Sequence, residues 1–236
     1  MDTTNFHGHV IRVGSRTVYR NALLAATDGA TFVQAITINP EYVVLARKQP
    51  ELAELTAPPT LTIPDGVGLA WALQHRQQVV ERYPGADAVL DICIHAEAGR
   101  YPVGVLLPRA GLSTPNEVEQ ALQARFPKLT VNVWSESEEI VRQINATNTH
   151  VLFVAFGQPR QELWLRDHAS QLPTVRLGMG VGGTFDFLTG RRRRAPRALR
   201  RLGLEWLWRL ATQPQRLPRI LRATFGFWYV ILTSPK

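Results

Sequence analysis

Residues 103–177 of the chain read VGVLLPRAGLSTPNEVEQALQARFPKLTVNVWSESEEIVRQINATNTHVLFVAFGQPRQELWLRDHASQLPTVRL. Short apolar runs alternate here with longer segments whose apolar residues recur at helical spacing. The predicted strands are Val103–Leu107, Leu129–Trp134, His150–Phe156 and Thr174–Leu177, and the predicted helices are Pro115–Phe126, Glu136–Asn145 and Gln158–Ser170. This alternation favours a doubly wound, Rossmann-like α/β fold with a parallel sheet.

The same alternation extends towards the amino terminus. Further strands are predicted at Phe32–Ile38 and Leu61–Ile63, and further helices at Glu41–Leu55, Val67–Gln74 and Ala86–Ala98. We therefore predict one α/β catalytic domain over residues 1–190.

Polar residues follow several of these strands, where ligands of such sheets bind. They include Thr37, Asn39, Asp65 and Gln161. Asp65 precedes Gly66 at a strand-to-helix junction, where an aspartate commonly forms a turn or caps a helix. Its carboxylate could equally deprotonate a hydroxyl nucleophile. Thr37 and Asn39 allow the same two interpretations, and Gln161 could reach a sugar or phosphate oxygen.

The formal net charge of +8 is concentrated in the last quarter of the chain. The arginines there are Arg191, Arg192, Arg193, Arg194, Arg197, Arg200, Arg201, Arg209, Arg216, Arg219 and Arg222. They indicate an anionic partner, either a membrane surface or nucleic acid. Apolar residues at helical spacing among them predict a basic, amphipathic, membrane-associating appendage over residues 191–236. The alternative is an ordinary terminal helix with a solvated basic face.

Other features bear on localisation. The longest apolar run near the end, Phe225–Leu232, is far shorter than the about 20 residues that span a bilayer. The first residues do not resemble a secretory signal. Cys93 lies in a mostly apolar segment and is expected to be a buried, reduced thiol. We therefore expect a peripheral protein at the cytoplasmic face of the membrane.

Signatures of several enzyme classes are weak or missing. Gly178–Gly183 matches G-x-G-x-x-G, the pattern of an NAD-type oxidoreductase, but no strand-helix-strand unit follows it. The six histidines lack metal-ligand spacing, and the sequence has no Asp-x-Asp pair. We therefore expect chemistry that needs neither a metal nor a cofactor.

Seven segments resemble, in order along the chain, the motifs of the WecG/TagA/CpsF glycosyltransferase family. They are Thr37–Glu41, Pro64–Gly68, Glu81–Asp87, Phe156–Glu162, Gly182–Phe187, Arg194–Pro196 and Gly203–Leu210. Each segment is short, but seven in the right order make a specific signal.

The resemblance implies an inverting, membrane-associated transferase that serves surface-polysaccharide or teichoic-acid-like polymer synthesis. It would move a sugar from a UDP-linked donor, UDP-N-acetylmannosamine in the best-known members, to a polyprenyl-diphosphate-linked sugar. Asp65 resembles the general base of the family. The substrate-binding positions that the resemblance implies are Thr37, Asn39, Arg82 and Gln161 and, from the basic segment, Arg209, Arg216 and Arg219.

The chain departs from the family pattern after two strands. Pro108–Gly111 replaces a usual Gly-Gly pair, and Ser135–Ser137 replaces a Gly-Tyr-Phe element. Because these segments are expected to contact the nucleotide, the donor is the substrate that the resemblance defines least. A nucleic-acid-binding α/β protein that uses its arginine-rich end is the contrasting hypothesis, although we expect no nucleic-acid partner. Association into a homo-oligomer is left open.

Overall fold

The computed structural model of the protein describes residues 2–76 and 78–233, without the side chains of Arg201, Arg216, Arg219 and Arg222. Eight strands are present in this part of the chain: β1 (Thr3–Phe6), β2 (His9–Arg12), β3 (Val33–Ile38), β4 (Leu61–Pro64), β5 (Val103–Leu107), β6 (Val131–Ser135), β7 (Val151–Val154) and β8 (Leu177–Gly180). Six of them form an all-parallel sheet in the order β4-β3-β8-β7-β5-β6, and β1 and β2 form an antiparallel hairpin. The predicted α/β fold with a parallel sheet is confirmed.

The helices lie on both faces of the sheet. They are α1 (Arg16–Thr27), α2 (Pro40–Ala46), α3 (Glu51–Glu54), α4 (Val67–His75), α5 (Gly85–Gly99), α6 (Pro115–Arg125), α7 (Ile140–Ala146), α8 (Arg160–His168), α9 (Thr184–Leu188), α10 (Arg197–Arg201), α11 (Glu205–Thr212) and α12 (Leu217–Thr233). Two short 3-10 helices, Ala169–Gln171 and Pro214–Arg216, complete the structure of the described residues. Helices α1, α5 and α6 share one hydrophobic core, and α7 and α8 pack in another.

The strand β8 differs from its prediction. The sequence places a strand at Thr174–Leu177 and a glycine-rich turn after it, whereas the structure begins the strand at Leu177 and continues it through Gly180. A Cβ atom on Gly178 would lie 2.9 Å from atoms of Phe32 and Leu165. The glycines therefore make room for side chains that pack across the strand.

The predicted helix Glu41–Leu55 is also divided. The structure has two helices, α2 and α3, separated by residues 47–50. Pro50 stands at the amino-terminal cap of α3. Because a proline ring has no backbone N–H and clashes with the preceding helical turn, the longer helix cannot continue through this position.

The basic carboxy-terminal segment packs onto the domain through α12. Phe227 and Val230 are buried in a core that also contains Tyr42 of α2. A Cβ atom on Gly226 would lie 3.0 Å from Val44, so the two helices approach closely there. The division into residues 1–190 and 191–236 stays a prediction. None of the helices in the described part of the chain has both the length and the apolar character needed to cross a membrane.

Candidate active site

The carboxyl ends of β3 and β4 lie side by side and bring three predicted site residues together. Ile38 pairs with Pro64 in parallel register, and Thr37 precedes this pair on β3. Asn39 follows β3, and Asp65 follows β4. The backbone N–H of Asp65 donates to the carbonyl of Ile38 at 2.7 Å.

The carboxylate of Asp65 is not used to cap the helix that follows it. The N-cap of α4 is Gly66, and one carboxylate oxygen of Asp65 accepts the Gly66 N–H at 2.8 Å. Gly66 has a φ of 90°, and a Cβ atom there would lie 3.1 Å from the ring of Pro40. The turn therefore requires glycine. The Asp65 side chain therefore serves the turn and does not cap α4, and its role as a catalytic base stays a prediction.

Four charged side chains surround the end of β4. Burial raises the pKa of the Asp65 carboxyl above its ordinary value, and the neighbouring carboxylate of Glu205 adds to the effect. The guanidinium groups of Arg82 and Arg209 act in the opposite direction. Asp65 is thus a desolvated carboxyl held within reach of two cations, which is a common environment for a catalytic base.

Glu205 holds the two arginines together. Its carboxylate lies 3.9 Å from Arg82 and 2.9 Å from Arg209, and its side chain is 12% exposed. Glu205 and Arg209 are one turn apart on α11, so the basic carboxy-terminal segment reaches the candidate active site. Sequence reasoning named both arginines but not Glu205 as a site residue. Glu205 is part of the Gly203–Leu210 motif, but the motif does not show which residues pair with it.

The amide side chains of Asn39 and Gln158 connect two loops at this edge of the sheet. The Asn39 Oδ1 accepts the N–H of Tyr42 at 3.0 Å and caps α2, while its Nδ2 donates to Gln158 at 2.9 Å. The Gln158 Nε2 donates to the carbonyl of Thr37 at 2.7 Å. Asn39 thus acts as a cap and as part of a network, and its predicted contact with substrate stays a prediction.

Gln161 is buried below this network and binds two loops. Its Oε1 accepts the N–H of Gly157 at 3.0 Å and of Gly182 at 2.9 Å. Its Nε2 donates to Glu162 at 2.8 Å. A Cβ atom on Gly180 would lie 2.5 Å from the same amide nitrogen, so the glycine makes room for it. Gln161 positions the loops after β7 and β8, and direct binding of substrate stays a prediction.

Glu162 is fully buried beside Gln161. Burial raises the pKa of its carboxyl to about 7, although hydrogen bonds from Gln161 and Gln158 oppose the shift. Its second carboxylate oxygen has no hydrogen-bond partner among the described residues.

A comparison with known families extends the interpretation of this site. A model of the glycosyl transferase WecG/TagA/CpsF family matches residues 6–236. The chain belongs to the WecG/TagA/CpsF glycosyltransferase family. It is therefore a hexosyltransferase of polysaccharide synthesis, which takes a nucleotide-sugar donor and an acceptor.

The segments that depart from the WecG/TagA/CpsF pattern lie towards the other edge of the sheet. They follow β5 and β6, whereas Asp65 follows β4 at the opposite edge. Arg109 donates to the carbonyl of Glu136 at 3.3 Å, and the carboxylate of Glu136 pairs with Arg160. In this family member, charged side chains therefore occupy the loops where the family usually has glycine or aromatic residues.

Three further predictions concern groups outside this geometry. Among residues 2–76 and 78–233, no three His, Cys, Asp or Glu side chains are arranged to hold a metal ion. The side chains of Arg216 and Arg219 lie outside the described residues, so their predicted roles stay predictions. Cys93 is buried as predicted, and burial raises the pKa of its thiol to about 12.

Proposed function

We propose that this WecG/TagA/CpsF member is an inverting, metal-independent glycosyltransferase that moves N-acetylmannosamine from UDP-N-acetylmannosamine to a polyprenyl-diphosphate-linked sugar. The product would serve a surface polysaccharide or a teichoic-acid-like polymer. The observation that carries the proposal is the desolvated carboxyl of Asp65 with Arg82 and Arg209 beside it.

The reaction is a single displacement. The acceptor hydroxyl oxygen attacks the anomeric carbon of the donor sugar, and its proton passes to the carboxylate of Asp65. The bond between that carbon and the diphosphate oxygen breaks, and UDP leaves with the electron pair. Attack from the face opposite to the leaving group inverts the configuration of the anomeric carbon.

The charges near Asp65 support this division of roles. A raised pKa makes the carboxylate a stronger base, while the two arginines favour its ionised form. Negative charge develops on the departing diphosphate, and preorganised cations stabilise that charge most where water is excluded. Arg82 is 18% exposed in its side chain, which fits such an environment.

We also propose that the protein binds the cytoplasmic face of the membrane through exposed aromatic side chains near its carboxyl end. We call Trp71, Trp206, Phe225, Trp228 and Tyr229 the aromatic surface, and each is at least 42% exposed. The rings of Trp71 on α4 and Trp228 on α12 lie 5.2 Å apart, which connects the catalytic domain with the terminal helix. Aromatic and arginine side chains together suit the headgroup region of an anionic bilayer.

A donor panel tests the proposed reaction. Several UDP-sugars are incubated with the full chain and a lipid-diphosphate-linked N-acetylglucosamine acceptor, and the products are identified by mass and anomeric configuration. We expect transfer of N-acetylmannosamine with inversion. Transfer with retention of configuration would contradict the inverting mechanism. Preference for another donor sugar would contradict the proposal that N-acetylmannosamine is transferred.

A further inference from the structure

A cavity of about 430 Å³ lies next to the charged cluster at Asp65. We call it the arginine cavity, and its lining residues are Arg16, Arg82, Pro84, Asp87, Arg197 and Arg200. They come from the start of α1, the segment before α5, the first turn of α5, and α10. Four arginines and one aspartate give the lining a formal charge of +3.

The single acidic group of the arginine cavity is already engaged. Asp87 pairs with Arg194 at 2.6 Å, with Arg16 at 3.4 Å and with Arg200 at 3.9 Å. The side chain of Arg197 forms no ion pair or hydrogen bond with any residue that the structure describes. Arg82 also pairs with Glu205 and Arg16 with Asp91, but neither carboxylate lines the cavity, so within the lining itself positive charge exceeds negative charge.

The position of the cavity connects it with the proposed transfer reaction. Arg82 lines the cavity and also lowers the pKa of Asp65. At the start of α5, a Cβ atom on Gly85 would lie 3.2 Å from the side chain of Thr37. Arg82 and the segment that continues from the lining residue Pro84 thus connect the cavity with the carboxyl ends of β3 and β4.

We propose that the arginine cavity binds the diphosphate group of a substrate, with Arg16, Arg197 and Arg200 as binding residues besides Arg82. Guanidinium groups bind phosphate oxygens through paired, charge-assisted hydrogen bonds, and the excess positive charge matches a ligand with several negative charges. The inference rests on the proposed function, because both a nucleotide sugar and a lipid-linked acceptor carry such a group.

Binding of inorganic pyrophosphate to the full chain tests the cavity without catalysis. The double variant Arg197→Gln/Arg200→Gln should bind pyrophosphate at least about tenfold more weakly than the wild type in a calorimetric titration. Arg193→Gln is the matched control, because Arg193 is exposed on the same segment but does not line the cavity. Equal weakening by the control, or unchanged binding by the double variant, would overturn the proposal.

Steady-state kinetics identify the source of the diphosphate. If the cavity holds the donor, the double variant raises the KM for the nucleotide sugar by about tenfold and leaves that for the lipid-linked acceptor unchanged. If it holds the acceptor, the pattern is reversed. Unchanged KM values for both substrates would contradict the proposal.

The two proposals can fail separately. If the wild type transfers sugar but the double variant binds pyrophosphate normally, the cavity proposal is wrong and the transferase proposal stands. If the wild type transfers no sugar while only the double variant loses pyrophosphate binding, the cavity is an anion site and the proposed reaction is wrong.

Discussion

Asp65 and Glu162 are two carboxyls at the carboxyl-end edge of the sheet, the first half-buried and the second fully buried, and their surroundings differ. Asp65 has cationic neighbours in Arg82 and Arg209, whereas Glu162 has only amide donors in Gln158 and Gln161. Burial raises the pKa of both carboxyls, but the cations beside Asp65 favour its ionised form, whereas Glu162 has amide donors alone. This contrast favours Asp65 as the catalytic group and Glu162 as a support for the loops that Gln161 joins.

The raised pKa of Glu162 predicts a pH-dependent stability. The folded protein holds this proton up to a pKa of about 7, whereas the unfolded chain releases it near its ordinary value of 4.5. The glutamate therefore destabilises the fold progressively as pH rises through that window. Relative to the wild type, Glu162→Gln should gain up to about 3 kcal/mol in the free energy of unfolding between pH 5 and pH 8.

Urea unfolding of both proteins at several pH values measures this difference. Burial lowers the pKa of His9 to about 4, which has the opposite effect on stability, but it is common to both proteins and cancels. A constant difference between Glu162→Gln and wild type from pH 5 to pH 8 would show that Glu162 does not titrate in this window.

Removal of metal ions with a chelator tests whether the arginines of the site are sufficient for sugar transfer. Because we propose that Arg82 and Arg209 stabilise the leaving diphosphate, the rate of sugar transfer should be the same in excess EDTA as in its absence. The rate is measured after prolonged dialysis against the chelator. Loss of transfer that magnesium or manganese restores would show that a cation, rather than these arginines alone, stabilises the diphosphate.

At the scale of elements, α12 carries two phenylalanines with opposite surroundings. Phe227 is 3% exposed and stacks 6.1 Å from Phe6, whereas Phe225 is 69% exposed. Phe227→Ala should destabilise the packing of α12 on α2 by about 3 kcal/mol, since it leaves a cavity in a core. Phe225→Ala should leave this packing unchanged.

Hydrogen exchange of the α12 amides measures that packing directly. Faster exchange is expected throughout α12 for Phe227→Ala, and the wild-type pattern for Phe225→Ala. Equal exchange in the two variants would contradict the docking of α12 through its buried face.

The sequence predicts most sheet elements because their signals are local. Val103–Leu107 has the same bounds in the prediction and in the structure, since a short, branched, apolar run needs little context to form a buried strand. The strand β8 was misplaced because its glycines disfavour strands locally. Their compatibility with the sheet depends on Phe32, Leu165 and Gln161, which are distant in sequence.

Contacts between residues distant in sequence also limit what the sequence predicts about the site. The family motifs identify Asp65, Arg82 and Arg209, and the structure places them in one cluster. The ion pair of Glu205 with Arg82 joins segments more than a hundred residues apart along the chain, so no local pattern reveals it, whereas Arg209 lies one turn from Glu205 on the same helix. Gln161 was predicted to face substrate because its type suits a sugar, but its burial is a property of the fold.

At the scale of the whole molecule, basic and aromatic residues gather in the same terminal segment. The double variant Phe225→Ser/Trp228→Ser should sediment with anionic vesicles at least about tenfold more weakly than the wild type, because apolar insertion is lost. Leu112→Ser is the control, as Leu112 is 52% exposed in the loop before α6 and does not belong to the aromatic surface. Equal loss in the control would contradict the location of the membrane contact.

A nucleic-acid binding assay on the same wild-type protein distinguishes a membrane partner from a nucleic-acid partner. We expect no binding of duplex DNA or RNA at physiological salt. Tight duplex binding with a steep salt dependence would favour the contrasting hypothesis.

The central claim is that Asp65 accepts the proton of the acceptor during sugar transfer, and the turnover of Asp65→Asn tests it most directly. Asparagine keeps the size of the side chain but cannot accept that proton. We predict a loss in kcat of about 10²- to 10⁴-fold, with an unchanged thermal unfolding midpoint and unchanged binding of the donor. Turnover close to that of the wild type, in a variant that is equally folded, would contradict the account.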